Sequence, residues 1–293
     1  MENKDRKDEN EQWVEERYWD FYATRFKLKR VLYSGKSPFQ KVDVVETEGH
    51  GRMLLNDGLV MISERDEFVY HEMIAHVPLF VHPDPRRVLV IGGGDGGTVR
   101  EVLKHKTVRH CRLVEIDQVV VDACSKFIPQ TASCLGDPRV IVTIADGVEF
   151  VASTAEKYDI VIVDSTDPIG PAQPLFGPAF YGNVKRVLTD SGIVVSQAES
   201  AFYAGETQKA LLRVLAGVFE RVNLYNYTNL TYPGGLWSFS FASKGLRPVW
   251  HLDPDRVPKS GIDFSYYSAD VHRGAFAIPA FMRKHLAEFL SEA

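Results

Sequence analysis

The sequence predicts an α/β protein, a Rossmann-like parallel sheet preceded by a small N-terminal β-rich domain. Three observations carry this expectation. The apolar run Val88-Leu89-Val90-Ile91 leads directly into Gly92-Gly93-Gly94-Asp95-Gly96-Gly97. Downstream of it, short apolar runs alternate with helical patterns, which implies a parallel sheet covered on both faces. Upstream of His82-Pro83-Asp84-Pro85 the apolar runs are short and separated only by turn sequences.

The elements follow in order. The charged stretch from Glu2 to Glu11 has no apolar core and reads as frayed, neither signal peptide nor membrane span. Strands are expected at Phe26–Tyr33, Phe39–Glu46, Arg52–Leu55 and Leu59–Ile62. Ser34-Gly35-Lys36-Ser37-Pro38, Glu48-Gly49-His50-Gly51 and Asn56-Asp57-Gly58 are the turns between them. A helix is expected from about Arg65 to Val77, with Ser63 as N-cap and Asp66 and Glu67 at the positive end of its dipole. Past the prolines, strands are expected at Val88–Ile91, Arg112–Ile116, Val140–Ile144, Ile160–Val163, Ile193–Gln197, Val222–Tyr227 and Trp237–Ala242. The clearest helices are Thr98–Lys104, Gln118–Phe127 and Thr207–Phe219. The chain thus divides into residues 1–83, a β-rich domain with a connecting helix, and residues 84–293, a Rossmann-like domain.

Composition narrows the partners. A net charge of −5 disfavours nucleic acid. Cys111, Cys124 and Cys134 form no C-x-x-C pair and read as reduced thiols in the cytoplasm or as small core residues. No apolar run suits a membrane.

Gly92, Gly94 and Gly97 satisfy G-x-G-x-x-G, but Asp95 stands inside the loop. A dinucleotide pyrophosphate resting there would meet a like charge, at a cost of about 4 kcal/mol at 4 Å and an effective dielectric near 20. The loop better suits a nucleoside carrying positive charge, a sulfonium such as S-adenosylmethionine or a relative.

In an open parallel sheet, ligands bind at the carboxyl ends of the strands. Five carboxylates follow four of the expected strands: Asp95, Glu115, Asp146, and the pair Asp164 and Asp167. Glu115 lies where an acidic side chain can take both ribose hydroxyls. Asp146-Gly147 can accept from an adenine amino group. Each carboxylate also has a plain reading as a helix cap or turn former. Together they describe a cleft for polyvalent cations.

The motifs then become specific. Gly92 to Gly97, Leu113-Val114-Glu115-Ile116-Asp117 and Asp164-Ser165-Thr166-Asp167-Pro168-Ile169-Gly170-Pro171 resemble the spermidine synthase family of polyamine aminopropyltransferases. So do Asp57-Gly58, the stretch Glu64 to Met73, Thr231-Tyr232-Pro233-Gly234-Gly235 and the tail Val271 to Ala277. The resemblance runs in order along nearly the whole chain. It implies transfer of the aminopropyl group of decarboxylated S-adenosylmethionine to a diamine, putrescine by default, leaving methylthioadenosine. It also implies that no cofactor is permanently bound and that the enzyme is a cytoplasmic homodimer or homotetramer. By the same resemblance, Asp164 is the base and Asp95 holds the ammonium of the aminopropyl arm. Asp167 grips the far ammonium of the diamine, with Ser165 and Thr166 beside it. Glu115 binds ribose, Asp146 and Gly147 bind adenine, and Gln40 and Pro171 touch the thioadenosine. Tyr70, His71 and Tyr232 line the amine channel.

Several readings compete with these. Tyr70 and His71 could be packing groups, Tyr232 an ordinary turn residue, and Gln40 a solvent-facing strand residue. His71-Glu72 with His76 has i, i+5 spacing, which turns the two histidines about 140° apart and argues against a zinc site. Other acceptors (cadaverine, agmatine, a triamine) and a small-molecule methyltransferase are the alternative activities. A binding protein lacking the base and a Rossmann oxidoreductase fit less well. The chain departs from the family at Gln173-Pro174, where proline fixes φ and removes a donor in a segment the family uses as a gate.

Overall fold

The computed structural model describes residues 11–167 and 170–293, without the side chains of Trp19, Gly170 and Pro171. The N-terminal unit is one antiparallel sheet. Its strands are β1 (Trp13–Tyr18), β2 (Tyr22–Lys36), β3 (Lys41–Thr47), β4 (Gly51–Asn56) and β5 (Leu59–Ser63), hydrogen-bonded in that order. Asp57 and Gly58 both take positive φ, 50° and 85°, as a two-residue hairpin between β4 and β5 requires.

Helix α1 (Glu67–Val81) leads into the second unit. There follow β6 (Arg87–Gly92), α2 (Gly97–Lys104), β7 (His110–Glu115), α3 (Gln118–Phe127), α4 (Pro129–Ala132), β8 (Val140–Ile144), α5 (Gly147–Ser153) and β9 (Tyr158–Asp164). Next come α6 (Pro178–Val187), β10 (Leu188–Gln197), α7 (Gly205–Ala216), β11 (Arg221–Thr228) and β12 (Leu236–Ser243). The tail carries α8 (Arg256–Lys259), α9 (Ala269–Ala275) and α10 (Ala280–Leu286). The seven strands pair in the order β11-β12-β10-β9-β6-β7-β8. The strands from β10 to β8 are mutually parallel, while β12 runs antiparallel to both β10 and β11. The order reverses between β6 and β9, so the carboxyl ends of those two strands frame the expected crevice.

Alternation along the strands builds two cores. Val88, Val90, Ile160 and Ile162 face α1, α2 and the tail. Leu89, Ile91, Val161 and Val163 face the layer that holds Phe180, Leu211 and Leu286. A third cluster packs Val120 and Cys124 of α3 against Val42 and Val44 of β3, which fastens the N-terminal sheet over the crevice. All three cysteines are free thiols, and Cys111 and Cys124 are buried packing residues.

The expected elements are present, and the main differences lie in the N-terminal unit and in helix α1. β1 was not expected; it pairs with β2 along its whole length. The bounds of β2 also exceed the expected strand, because the β1 and β3 pairings extend it at both ends. Phe39 and Gln40 lie in the turn before β3 rather than in the strand. Helix α1 starts at Glu67 with Asp66 at the cap position, not with Ser63. Ser63 instead donates to Asp66 Oδ1 at 2.5 Å, while Asp66 Oδ2 accepts the backbone N–H groups of Leu230 and Thr231.

Helix α1 continues through Pro78 to Val81, past the expected end at Val77. Proline normally breaks a helix, but here the helix runs on past it and its end is held by the tail. Arg256 donates to the carbonyls of Phe80 and His82 at the helix end. Glu72 accepts backbone N–H groups from Ser265, Tyr266 and Tyr267 at 2.8, 2.8 and 2.7 Å and is 1% exposed. The tail is therefore stitched to the helix that presents Tyr70 and His71. Glu72→Gln is expected to lower unfolding stability by about 2–3 kcal/mol, because the amide leaves a buried donor facing its own NH₂ group. Denaturant titration of the two proteins checks this, and equal stabilities would mean the tail is not held by that carboxylate.

Candidate active site

The carboxyl ends of β6, β7, β8 and β9 open into one cavity of about 180 Å³ beneath the N-terminal sheet. All five strand-end carboxylates line it, together with Gln40, Tyr70, His71, Gly147, Ser165, Thr166 and Tyr232. Pro171 is the second residue of the 3₁₀ turn Gly170–Phe176, and its side chain lies outside the described residues.

The glycine loop is built for close approach. Gly92, Gly93 and Gly96 hold φ of 79°, 67° and 85°. A side chain on Gly92 or Gly93 would collide with Asp164, and one on Gly97 with the His71 ring. Glycine at these positions thus lets Asp164 and His71 approach the loop.

Two carboxylates sit at the centre. Asp164 Oδ1 accepts from the Tyr70 hydroxyl at 2.7 Å, and Oδ2 from the Thr98 hydroxyl at 2.6 Å. Burial, then the charge of Asp95, pushes the Asp164 carboxyl above the usual range; His71, Thr98 and Tyr70 oppose that shift. Asp95 Oδ1 accepts from the Gly97 N–H at 2.9 Å and stands 3.4 Å from His71 Nε2. Burial would raise this carboxyl too, but the contact and charge of His71 outweigh it and hold Asp95 low.

His71, Asp95 and Asp164 bring ligand-type atoms within 4.8 Å of one another. Burial favours a neutral His71, yet Asp95 and Glu67 outweigh it and push the imidazole up to about 10.

Asp167 and Gln197 also line the cavity, and two carboxylates outside its lining, Glu199 and Glu16, interact with them. Gln197 Nε2 donates to Asp167 Oδ1 and to Glu199 Oε1, both at 3.3 Å. Burial, then the charge of Asp167, pushes Glu199 up to about 8. Glu16 of β1 is fully buried and accepts the Val60 N–H at 2.7 Å. Burial pushes it up to about 7, and the charge of Asp167 adds to that shift. Glu199 holds φ of 65°, a left-handed conformation that is uncommon outside glycine. Such strain is found where surrounding structure imposes it, often at functional sites.

At the third side of the cavity, Glu115 accepts from Gly94 N at 3.1 Å and Asp117 N at 2.9 Å, and burial pushes it up to about 7. Asp146 is the N-cap of α5, accepting from Val148 N at 2.6 Å, so the plain reading of this residue holds alongside its place in the cavity wall. Gln40 does not face away. Its Nε2 donates to Asp117 Oδ2 at 3.0 Å, and Ser37 donates to the same oxygen at 2.7 Å. The Tyr232 hydroxyl donates to the Met61 carbonyl at 2.5 Å, which ties the Pro-Gly-Gly turn to the N-terminal sheet.

Sequence reasoning missed Glu16, Thr98, Gln197 and Glu199. Only Thr98 carried a usable signal, being a hydroxyl one residue past the glycine loop. The other three depend on which strands become neighbours.

Comparison with known proteins agrees with this geometry. Residues 67–250 match the family model described as the spermine/spermidine synthase domain, and residues 12–64 match the spermidine synthase tetramerisation domain. The polyamine aminopropyltransferase of Alkaliphilus oremlandii is 42% identical over 278 residues, covering 94% of this chain and 98% of that protein. That of Methanocaldococcus jannaschii is 43% identical over 275 residues, covering 92% and 94%. A spermidine synthase crystallised with the transition-state analogue AdoDATO superposes with a TM-score of 0.93 at 41% identity, covering 94% and 95% of the two chains. The spermidine synthase of Thermotoga maritima gives 0.91, also at 41% identity, covering 94% of each chain. With the two family models covering almost all of residues 12–250 and relatives above 40% identity over nearly the full length, the chain belongs to the spermine/spermidine synthase family, the polyamine aminopropyltransferases.

Proposed function

We propose that this protein moves the aminopropyl group of decarboxylated S-adenosylmethionine to one nitrogen of putrescine, giving spermidine and methylthioadenosine. The observation that carries this reading is the set of carboxylates lining one cavity, Asp95 and Asp164 together and Asp167 beside Gln197, with Glu199 and Glu16 behind Asp167. Asp95 and Asp164 handle the aminopropyl arm and the attacking nitrogen. Asp167 receives the far ammonium.

The amine lone pair attacks the methylene next to the sulfonium, the C–S bond breaks, and its electrons return to sulfur. The amine must first be neutral, so its proton passes to Asp164. Tyr70 and Thr98 fix the orientation of that carboxylate. Asp95 holds the ammonium of the arm and would repel the carboxylate that ordinary S-adenosylmethionine carries there. Glu115 takes the ribose hydroxyls, and Asp146, Gly147, Gln40 and Pro171 surround the thioadenosine. Tyr70, His71, Ser165, Thr166 and Tyr232 line the amine path. The reading includes a division of the chain near residue 83 and a cytoplasmic homodimer or homotetramer, the latter supported by the match to the tetramerisation model. No helix among the described residues is long and apolar enough to cross a membrane.

Incubation with decarboxylated S-adenosylmethionine and a panel of amines, read by mass spectrometry, tests the assignment. Methylthioadenosine formed fastest with putrescine supports it. Preference for cadaverine, agmatine or a triamine would replace the acceptor, and methyl transfer would replace the reaction.

The far end predicts a pH dependence. Burial, then the charge of Asp167, pushes Glu199 up to about 8, and burial pushes Glu16 up to about 7, against roughly 4.3 in an unfolded chain. Their folded values lie above the unfolded one, so their contribution is complete below about pH 4 and is lost as pH rises through 7 to 8. The free protein is therefore expected to melt at a lower temperature at pH 9 than at pH 7. Putrescine should restore more stability at pH 9, where the carboxylates are ionised. Thermal melts with and without putrescine measure both, and a putrescine effect that shrinks with pH would contradict the assignment.

A further inference from the structure

A charged cluster lies behind His71, away from the cavity. Glu67 and His71 are four residues apart on α1 and share a face. Glu67 Oε2 stands 2.5 Å from His71 Nδ1. Arg100 of α2 closes on Glu67 with both terminal nitrogens, 2.8 Å to each carboxylate oxygen. Its Nε donates to Glu101 at 2.8 Å, so the guanidinium is held on two sides. The His71 ring is fully buried and packed on Gly97. Its other nitrogen, Nε2, has no well-aligned hydrogen-bond partner and faces Asp95 Oδ1 at 3.4 Å.

We infer that Glu67 and Arg100 are positioning residues that hold His71 as an imidazolium aimed at Asp95, and so set the charge of the aminopropyl end of the cavity. The inference rests on the aminopropyl-transfer reading above.

A charge count supports it. The groups facing His71 are Glu67 on its own helix, Asp95 on the glycine loop and Asp164 at the end of β9, with the Tyr70 ring edge-on at 5.4 Å. Glu67 and Arg100 offset each other. An imidazolium offsets one carboxylate of the Asp95–Asp164 pair and leaves one negative charge in the free protein. A neutral imidazole would leave two. The Asp164 carboxyl, which the charge of Asp95 pushes up and that of His71 pulls down, would then rise further and be protonated over more of the acid range. The same contacts hold Glu67 at about 2 against the effect of its burial, chiefly through His71 and then Arg100.

A pair that merely pinned α1 to α2 would not control a proton on His71. The test uses protein labelled with ¹⁵N-histidine, the His71 signals being assigned by their loss in His71→Gln. Both ring nitrogens of His71 are expected to carry protons at pH 8 in the wild type and only one in Glu67→Gln. In turnover with decarboxylated S-adenosylmethionine and putrescine, the acid limb of kcat/KM should move up by about one pH unit or more in Glu67→Gln. Arg100→Lys, which keeps the charge but loses the fork, should fall between. Should Glu67→Gln fail to fold, Arg100→Lys supplies both readouts. A neutral His71 in the wild type, or variants with lower kcat but an unmoved acid limb and an unchanged imidazolium, would overturn the inference. The spectra need no turnover. An imidazolium that Glu67→Gln discharges, in a protein that forms no methylthioadenosine, would support the positioning role and sink the transfer reading instead.

Discussion

Asp164→Asn is expected to lower kcat by about 10²–10⁴-fold, the usual worth of a positioned general base. The amide nearly matches the carboxylate in shape but cannot take the amine proton. The Tyr70 and Thr98 hydroxyls that both donate to Asp164 can each rotate, so the amide can be accommodated by turning one of them into an acceptor. The substitution also removes a buried charge that faces Asp95, so the fold should not suffer. Single-turnover release of methylthioadenosine gives the rate, while melting temperature and methylthioadenosine affinity report on fold and nucleoside site. Turnover near the wild-type value would remove Asp164 from the role of base. A matching collapse of stability would make the rate loss uninformative about chemistry, and for that reason both are measured on one preparation.

Asp95→Asn is expected to weaken decarboxylated S-adenosylmethionine by about 10–100-fold, the loss of one hydrogen bond to a charged group. The penalty against the carboxylated form should shrink at the same time, because that penalty is repulsion between two carboxylates. The geometry makes the test clean on one side. Asp95 Oδ1 is already occupied by the Gly97 N–H and lies near His71, which leaves Oδ2 for the ligand. Calorimetric titration with both nucleosides gives the ratio directly. An unchanged ratio would mean that selection against the carboxylated arm is steric or lies elsewhere in the cavity.

How far the site was legible differs from residue to residue. Asp95, Glu115, Asp146, Asp164 and Asp167 could be read off because each follows an apolar run, and a parallel sheet sends every strand end to the same edge. Asp146 shows the limit of that logic, since it reaches the cavity wall while also capping α5. β1 escaped because its inward positions include Glu16, and a buried carboxylate breaks the apolar alternation by which a half-buried strand is recognised. Its burial becomes tolerable through the Val60 N–H on β5, a strand 44 residues away. Glu199 escaped for a related reason: neither its positive φ nor its proximity to Asp167 leaves a mark in the residues around it. Helix α1 runs past its expected end at Val77, and the partner of its last carbonyls, Arg256, lies about 175 residues away and leaves no mark around Pro78.

The sequence by itself determined the alternation of strands and helices, the sharp glycine turn after β6 and the set of carboxylates at the strand ends. Those follow from local physics, namely the period of apolar residues, the steric freedom of glycine and the direction of parallel strands. Only the tertiary structure decided the protonation and orientation of the groups in the cavity. Tyr70 donates to Asp164 across 94 residues, Arg100 steadies Glu67 across 33, and Gln197 reaches Asp167 across 30. Each of those contacts is a matter of ångströms between separate elements. Coulomb and desolvation energies change steeply over that distance and with burial, so the chemistry of these side chains is settled by packing and not by their order along the chain.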